Sequence, residues 1–317
     1  MIVPQQRFLV TGGAGFIGCN VVRALLNGGA QVRVLDNFAT GRRSNLEEVL
    51  KDIELCEVDL RDEAGVAAAM KEVAYVLHFG ALPSVARSVE DPGSSNDVNI
   101  RGTLNLLLAA RDNGVERVVF SSSSSVYGDT PVLPKREDML PQPLSPYALS
   151  KLAGEHYMRM FHSLYGLKTY SLRYFNVFGP RQDPASHYAA VIPLFIQAIL
   201  KDQPPTIHGD GLQTRDFTFV EDIIAANLAC CTAPESASGG PYNVAWGNRI
   251  SVKGLAEEIN RLLGKSVAPI HTERRAGDVR DSQADASLAR NEIGWTPKVS
   301  FADGLQRTID WYRNLES

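Results

Sequence analysis

Tyr147 and Lys151 stand four residues apart in Tyr147-Ala148-Leu149-Ser150-Lys151, a spacing that sets both on one face of a helix. A free tyrosine ionises near pH ~10, so it acts as a base at neutral pH only where a neighbouring cation favours the tyrosinate. Lys151 can supply that field. A second group of reactive residues is the run Ser121-Ser122-Ser123-Ser124-Ser125, whose hydroxyls can hold a substrate hydroxyl beside such a base.

A third signal is Thr11-Gly12-Gly13-Ala14-Gly15-Phe16-Ile17-Gly18, which opens an apolar helix through Val21, Val22, Leu25 and Leu26. Gly13, Gly15 and Gly18 fit the dinucleotide-binding fingerprint, and Gly12, Gly15 and Gly18 fit its wider-spaced variant. Glycine is needed there because a pyrophosphate must approach bare amides at a helix N-terminus and the turn needs positive φ. Asp36 follows about twenty residues on, where a carboxylate can take both ribose hydroxyls. Its charge disfavours a 2′-phosphate and so favours NAD over NADP, although Arg42 and Arg43 lie close enough to accept one. An oxidised nicotinamide ring would add its positive charge to that of Lys151 beside Tyr147.

These residues need a scaffold, and the first half of the chain supplies one. Short apolar runs at 7–11, 31–36, 53–58, 75–79 and 115–120 alternate with amphipathic stretches, which reads as repeated βα units in an α/β, Rossmann-type doubly wound parallel sheet. Pro146 in a first turn and Gly166 as a stop bound a helix over 146–165, followed by a strand over 169–174. The serine run then lies at the carboxyl edge of the sheet, where open α/β folds hold ligands. Beyond Gly179-Pro180-Arg181 the elements shorten and proline and glycine increase, as expected of a smaller C-terminal lobe. The expected division is a dinucleotide-binding domain over 1–182 with a return near 217–246, and a lobe from 183–216 and 247–317.

Composition excludes several other classes. The 317 residues carry 32 Lys+Arg against 36 Asp+Glu, a net charge of -4 without the basic excess of a nucleic-acid binder. No apolar run approaches the ~18 residues of a membrane span, and no secretory leader is recognisable, so a cytoplasmic protein with no membrane partner is expected. The four cysteines and six histidines show no metal-ligand spacing. Cys19, Cys56, Cys230 and Cys231 read as small buried hydrophobes, and an organic cofactor is expected rather than a metal.

Together, Thr-Gly-Gly-Ala-Gly-Phe-Ile-Gly, Asp59-Leu60, Asn99, Ser123 before Val126-Tyr127-Gly128, Tyr147-x-x-x-Lys151 and Arg173-Tyr174-Phe175-Asn176-Val177-Phe178-Gly179 resemble an extended short-chain dehydrogenase/reductase of the nucleotide-sugar class, over about 7–311. Dehydratases of that class carry Asp-Glu, and nucleotide-glucuronate decarboxylases a Glu, just before Val-Tyr-Gly. This chain has Ser124 and Ser125. The resemblance therefore implies oxidation and re-reduction at one carbinol carbon, a UDP-hexose 4-epimerase. A nucleotide-sugar oxidoreductase with net NAD(P)H turnover and a non-catalytic dinucleotide sensor are the alternatives.

The resemblance further implies Ser123, Tyr147 and Lys151 as catalytic residues. It implies NAD held by Gly12, Gly15, Phe16, Ile17, Gly18, Asp36, Asn37, Asp59, Leu60, Phe79, Gly80, Ala81, Asn99, Tyr147, Lys151 and Phe175. For a UDP-sugar it implies Ser123, Tyr147, Asn176, Val191, Thr206, His208, Arg215, Arg275, Asp278 and Ser282. Arginine suits a diphosphate because its planar fork is always charged. Ser282 stands where narrow hexose epimerases carry Tyr, so a pocket wide enough for N-acetylated sugars is expected. A homodimer through helices around 94–113 and 146–165 is also implied, with Leu104, Leu107, Leu108, Met158 and Phe161 available for its packing.

Overall fold

Buried on both faces by helices, the apolar runs form a parallel sheet in the computed structural model, which describes residues 5–184, 190–273 and 279–316. The strands β1 (Arg7–Thr11), β2 (Gln31–Leu35), β3 (Ile53–Cys56), β4 (Tyr75–His78), β5 (Arg117–Ser123) and β6 (Lys168–Tyr174) lie in the order 3-2-1-4-5-6. A seventh strand, Pro241–Val244, adds in parallel beside β6 with Tyr242 opposite Leu172. Strand order reverses at β1, which opens a crevice beyond the carboxyl ends of β1 and β4.

Successive side chains alternate between two apolar layers. Phe8 and Val10 of β1 pack with Val21, Val22 and Leu25 of α1 (Phe16–Asn27) and with Ile223 and Ala226 of the helix Val220–Thr232. Leu9 faces the other way, toward Leu106, Leu107, Met158 and Phe161 on the helices Gly102–Asp112 and Pro146–Tyr165. Leu107, Met158 and Phe161 are thus core residues of this chain. Leu104 and Leu108 are half-buried against the same layer. On the outer face of the long helix, Leu149, Met160 and Leu164 are exposed instead.

β5 runs three residues past the expected end at Phe120, because its ladder with β6 continues through Ser121 opposite Leu172, Ser122 opposite Arg173 and Ser123 opposite Tyr174. The first three serines are therefore strand residues, held in register rather than in a loop. β3, in contrast, stops at Cys56, where its pairing with β2 ends. Cys19, Cys230 and Cys231 are buried, as expected, while Cys56 on this edge strand is only half-buried.

The smaller lobe has its own apolar centre, including Ile196, Phe217, Leu255, Ile259 and Leu305, with the rings of Phe178, Phe217 and Phe301 in mutual contact. Phe16, at the start of α1, packs partly against it, so lobe and glycine turn meet at the crevice. No helix among the described residues is long and apolar enough to cross a membrane.

Candidate active site

The helix Pro146–Tyr165 begins where Ser145 caps the Ala148 N–H at 3.1 Å and ends at Gly166, whose φ of 71° is the left-handed conformation glycine adopts freely. Its buried face brings Lys151 under β5, where Nζ donates to the Ser121 carbonyl at 2.7 Å. The ammonium stands 4.9 Å from the Phe120 ring centre and 5.8 Å from that of Tyr147. Burial brings Lys151 down to about 7. Burial also raises Tyr147, an effect opposed by a hydrogen bond from Ser123. Ser123 Oγ accepts the Ser125 N–H at 3.2 Å and the Ser125 hydroxyl at 2.9 Å, which directs its own proton to another acceptor. Ser123, Tyr147 and Lys151 thus converge, as their sequence positions imply.

Beneath them lies a buried pair that the sequence reading did not single out. Glu155 accepts from Arg173 Nε at 2.9 Å and Nη2 at 2.7 Å, and from Ser122 Oγ at 2.5 Å. The Arg173 guanidinium also lies 4.7 Å from the Tyr127 ring centre. Glu155 follows Lys151 by four residues on the same helical face, and that spacing was the available signal. The pair ties the helix to the strand next to Ser123.

The glycine turn forms a cradle at the N-terminus of α1. Gly15 is its N-cap, no side chain caps the helix, and its first turn holds no acid. Its amides and partial positive charge suit an anion. A Cβ on Gly18 would lie 2.2 Å from the Gly12 carbonyl, and one on Gly12 would lie 2.7 Å from the Gly80 amide nitrogen at φ 66°. Neither position admits a side chain. Phe16 and Ile17 are half-buried at this end.

Asp36 accepts the Ala14 N–H at 2.9 Å and the Phe38 N–H at 2.8 Å, and burial raises its carboxyl against the pull of those amides. Arg42 is ion-paired to Asp183, and Arg43 to Glu57 while its guanidinium stacks 4.0 Å over Phe38. Both cations that could have met a 2′-phosphate are committed elsewhere, which favours the NAD reading of Asp36. Asp59 takes both Arg61 and Asn37, whose amide donates at 2.8 Å, and Arg61 holds its carboxyl well below the usual range. Leu60 is buried in the sheet layer, and Phe79, Gly80 and Ala81 follow β4 half-buried along the crevice.

Two expected cofactor contacts sit deeper than expected. Asn99 is buried, and its amide accepts from the Leu82 N–H at 2.8 Å and donates to the Leu82 carbonyl and to Ser150 Oγ. Its side chain shapes the crevice from behind. The Phe175 ring is buried with Val126, Tyr127 and Ala284, and its N–H donates to the Val244 carbonyl at 3.3 Å.

In the lobe, Asn176, strained at φ 31°, donates to the Asp216 carbonyl at 3.1 Å and lies 3.4 Å from Ser282 Oγ. Arg215 donates to the Thr214 and Arg280 carbonyls at 2.9 and 3.2 Å. Asp216, another residue not foreseen, is fully buried and accepts the Gly247 and Ala284 N–H groups at 3.1 Å; burial pushes its carboxyl up to about 7 against their pull. Its carboxylate thereby ties the segments of Gly247 and Ala284 together, while its backbone carbonyl takes Asn176. Thr206 and His208 lie on a strand paired with Ile270–Thr272, and His208 Nδ1 is 2.8 Å from Thr272 Oγ1. Val191 starts the helix Val191–Leu200 at the rim of the lobe core. Arg275 and Asp278 lie outside the described residues. Among the described residues no group of three or more His, Cys, Asp or Glu is placed to hold a metal.

Comparison with known proteins bears on this arrangement. The model of the NAD dependent epimerase/dehydratase family matches residues 8–245. The UDP-glucose 4-epimerase of Mycolicibacterium smegmatis is 40% identical over 315 residues, 98% of this chain and 99% of its own length. A solved UDP-N-acetylglucosamine 4-epimerase from Methanobrevibacter ruminantium, in complex with UDP-N-acetylmuramic acid, superposes with a TM-score of 0.94 at 39% identity, covering 99% of this chain and all of that one. The Thermus thermophilus UDP-glucose 4-epimerase, solved with NAD, gives 0.89 at 40% identity, covering 97% and 99%.

Proposed function

The chain belongs to the NAD dependent epimerase/dehydratase family as an NAD-dependent UDP-sugar 4-epimerase, and we propose that it interconverts UDP-GlcNAc and UDP-GalNAc as well as UDP-glucose and UDP-galactose. The observation that carries the wider substrate range is Ser282. Its hydroxyl lies 3.4 Å from Asn176 Nδ2, and a side chain this small at that position would leave room for an N-acetyl group. The relatives above include enzymes named for each kind of sugar.

The cradle fits NAD: bare amides at α1, two glycine contacts that exclude any side chain, and Asp36 at the end of β2. NAD bound there would supply an acceptor, and then a donor, for the hydride at the sugar C4, and in its oxidised form a positively charged ring. The chain's own residues handle the proton. Tyr147 takes it from the C4 hydroxyl as the 4-keto sugar forms and returns it after the sugar has turned its other face. Ser123 donates a hydrogen bond to O4, and Lys151 stabilises the tyrosinate. Arg215, with Arg275, holds the diphosphate, and Val191, Thr206 and His208 take the uracil side.

Incubating the enzyme separately with UDP-GlcNAc and UDP-glucose, and following the 4-epimers by NMR and reduced nicotinamide by absorbance, tests the reading. Both epimers are expected without net reduced cofactor. Accumulating reduced cofactor selects an oxidoreductase, and rejection of UDP-GlcNAc removes the wide-pocket claim. Ser282→Tyr should then lower kcat/KM for UDP-GlcNAc by at least about tenfold while leaving UDP-glucose largely unaffected, because a steric clash with the N-acetyl group has no compensating contact.

Lys151→Met carries a pH signature. Turnover needs Tyr147 deprotonated, and removing the cation raises the tyrosine further, so activity is lost at a higher pH as pH falls. The acidic limb of the kcat profile should move up by at least about one unit, since one unit corresponds to only ~1.4 kcal/mol of lost interaction. An unmoved limb would leave Lys151 a packing role alone.

A homodimer is part of the same reading. Leu149, Met160 and Leu164, exposed along one long helix, supply the apolar face for it in place of the core residues Leu107, Met158 and Phe161. Light scattering at micromolar concentration should give twice 34.6 kDa, and Met160→Glu with Leu164→Glu should give a monomer. A monomeric wild type disposes of the claim.

A further inference from the structure

Behind the crevice a buried line of hydrogen bonds runs from β1 to the helix bearing Tyr147, and every proton in it has one direction to take. Thr103 Oγ1 donates to the Asn99 carbonyl at 2.6 Å, so toward His78 Nε2, 3.0 Å away, it can only accept. Nε2 therefore carries a ring proton. Burial, with Lys151 nearby, brings His78 down to about 3, which keeps the ring neutral and leaves Nδ1 an acceptor. Thr11 Oγ1, 2.7 Å from Nδ1, must then donate to it, and the same oxygen accepts the Gly80 N–H at 3.1 Å.

Beyond Thr103 the line continues through Asn99, which sits in a single turn of π-helix, Asp97–Arg101. Its amide donates to Ser150 Oγ at 3.0 Å, and Ser150 donates to the Tyr147 carbonyl at 2.8 Å. One end of the line fixes the Gly80 turn, against which Gly12 is closely packed. The other end fixes the first turns of the helix that carries Tyr147 and Lys151.

We propose that His78 is a positioning residue that couples the Gly80 turn on the cofactor side of the crevice to the helix bearing the proton acceptor. The imidazole suits this place because it is rigid and presents an acceptor and a donor on well-separated ring edges. An Asn or Gln amide carries both on one terminal carbon and cannot span from Thr11 to Thr103 in the same way. His78 itself is 1% exposed, which sets it behind the crevice wall rather than on it. Its effect is on how well NAD is seated relative to Tyr147, so a break anywhere in the line should loosen both at once.

The inference rests on the reading that Gly80 faces NAD and Tyr147 faces the sugar, which wild-type NAD binding and the activity of Tyr147→Phe test separately. The line is cut at each side of His78 by the near-isosteric Thr11→Val and Thr103→Val in the full-length enzyme. NAD affinity is measured by titration calorimetry, and kcat at saturating NAD with UDP-glucose. Either cut is expected to weaken NAD binding and lower kcat, each by about five- to tenfold. The double variant should add less than about twofold to either readout, because a line cut once is already cut. Thr11→Ser and Thr103→Ser, which keep the hydroxyl, should recover to within about twofold. Valine variants that lose only thermal stability, that each move only one readout, or whose losses multiply in the double variant would overturn the coupling.

Discussion

Replacing Tyr147 with Phe should lower kcat by about a hundredfold or more while NAD binding and the fold survive. A positioned general base contributes ~10²–10⁴-fold, and the substitution removes only the hydroxyl that Ser123 engages. The ring stays in place, so the packing between the first turn of the helix and β5 is retained. Loss of one hydrogen bond costs about 1 kcal/mol of stability, too little to unfold a protein of this size. Steady-state rates with both UDP-sugars, NAD titration and a thermal melt together check the result. A variant that keeps more than about a tenth of wild-type turnover removes Tyr147 as proton acceptor and leaves the neighbouring hydroxyls to be tested in its place.

The largest stability effect is expected at Glu155. Glu155→Leu leaves the Arg173 guanidinium, 3% exposed, without the carboxylate that holds two of its nitrogens. Removing one partner of a buried pair costs about 3–5 kcal/mol, because the remaining charge stays desolvated. For a chain of this length, that corresponds to a melting temperature lowered by about 10 °C. Removing both charges, with Glu155→Leu and Arg173→Met, should recover most of the loss, since the double change replaces ions by apolar volume. A melt within about 3 °C of wild type for Glu155→Leu would mean that Tyr127 and nearby backbone groups suffice for Arg173. The double variant also separates stability from catalysis. If it melts like the wild type but turns over poorly, the pair's role is to hold Ser123 in register with the helix.

Sequence by itself determined the architecture and singled out the candidate reacting groups, because both are written in local pattern. Apolar runs without a polar face require a sheet covered on both sides, and each boundary of the long helix is marked by a residue with a conformational reason, Ser145 or Pro146 at one end and Gly166 at the other. Tyr147 and Lys151 were legible because four residues is one helical turn. The glycine turn was legible because positive φ and close approach admit one residue type.

Tertiary structure alone decided what surrounds these groups. No local pattern says that Arg42 is drawn to Asp183, that Phe175 turns its ring into the core, or that Leu107, Met158 and Phe161 face the sheet while Leu149, Met160 and Leu164 face outward. An apolar residue on a helix can satisfy a core or a partner equally well, and only the position of the sheet chooses between them. His78, Glu155, Arg173 and Asp216 were missed for the same reason. Their neighbours lie far off in sequence: Thr11 is 67 residues from His78, and Ala284 is 68 from Asp216. A buried polar group takes its function from partners that satisfy it at hydrogen-bond distance, and those partners exist only once the strands have been laid side by side.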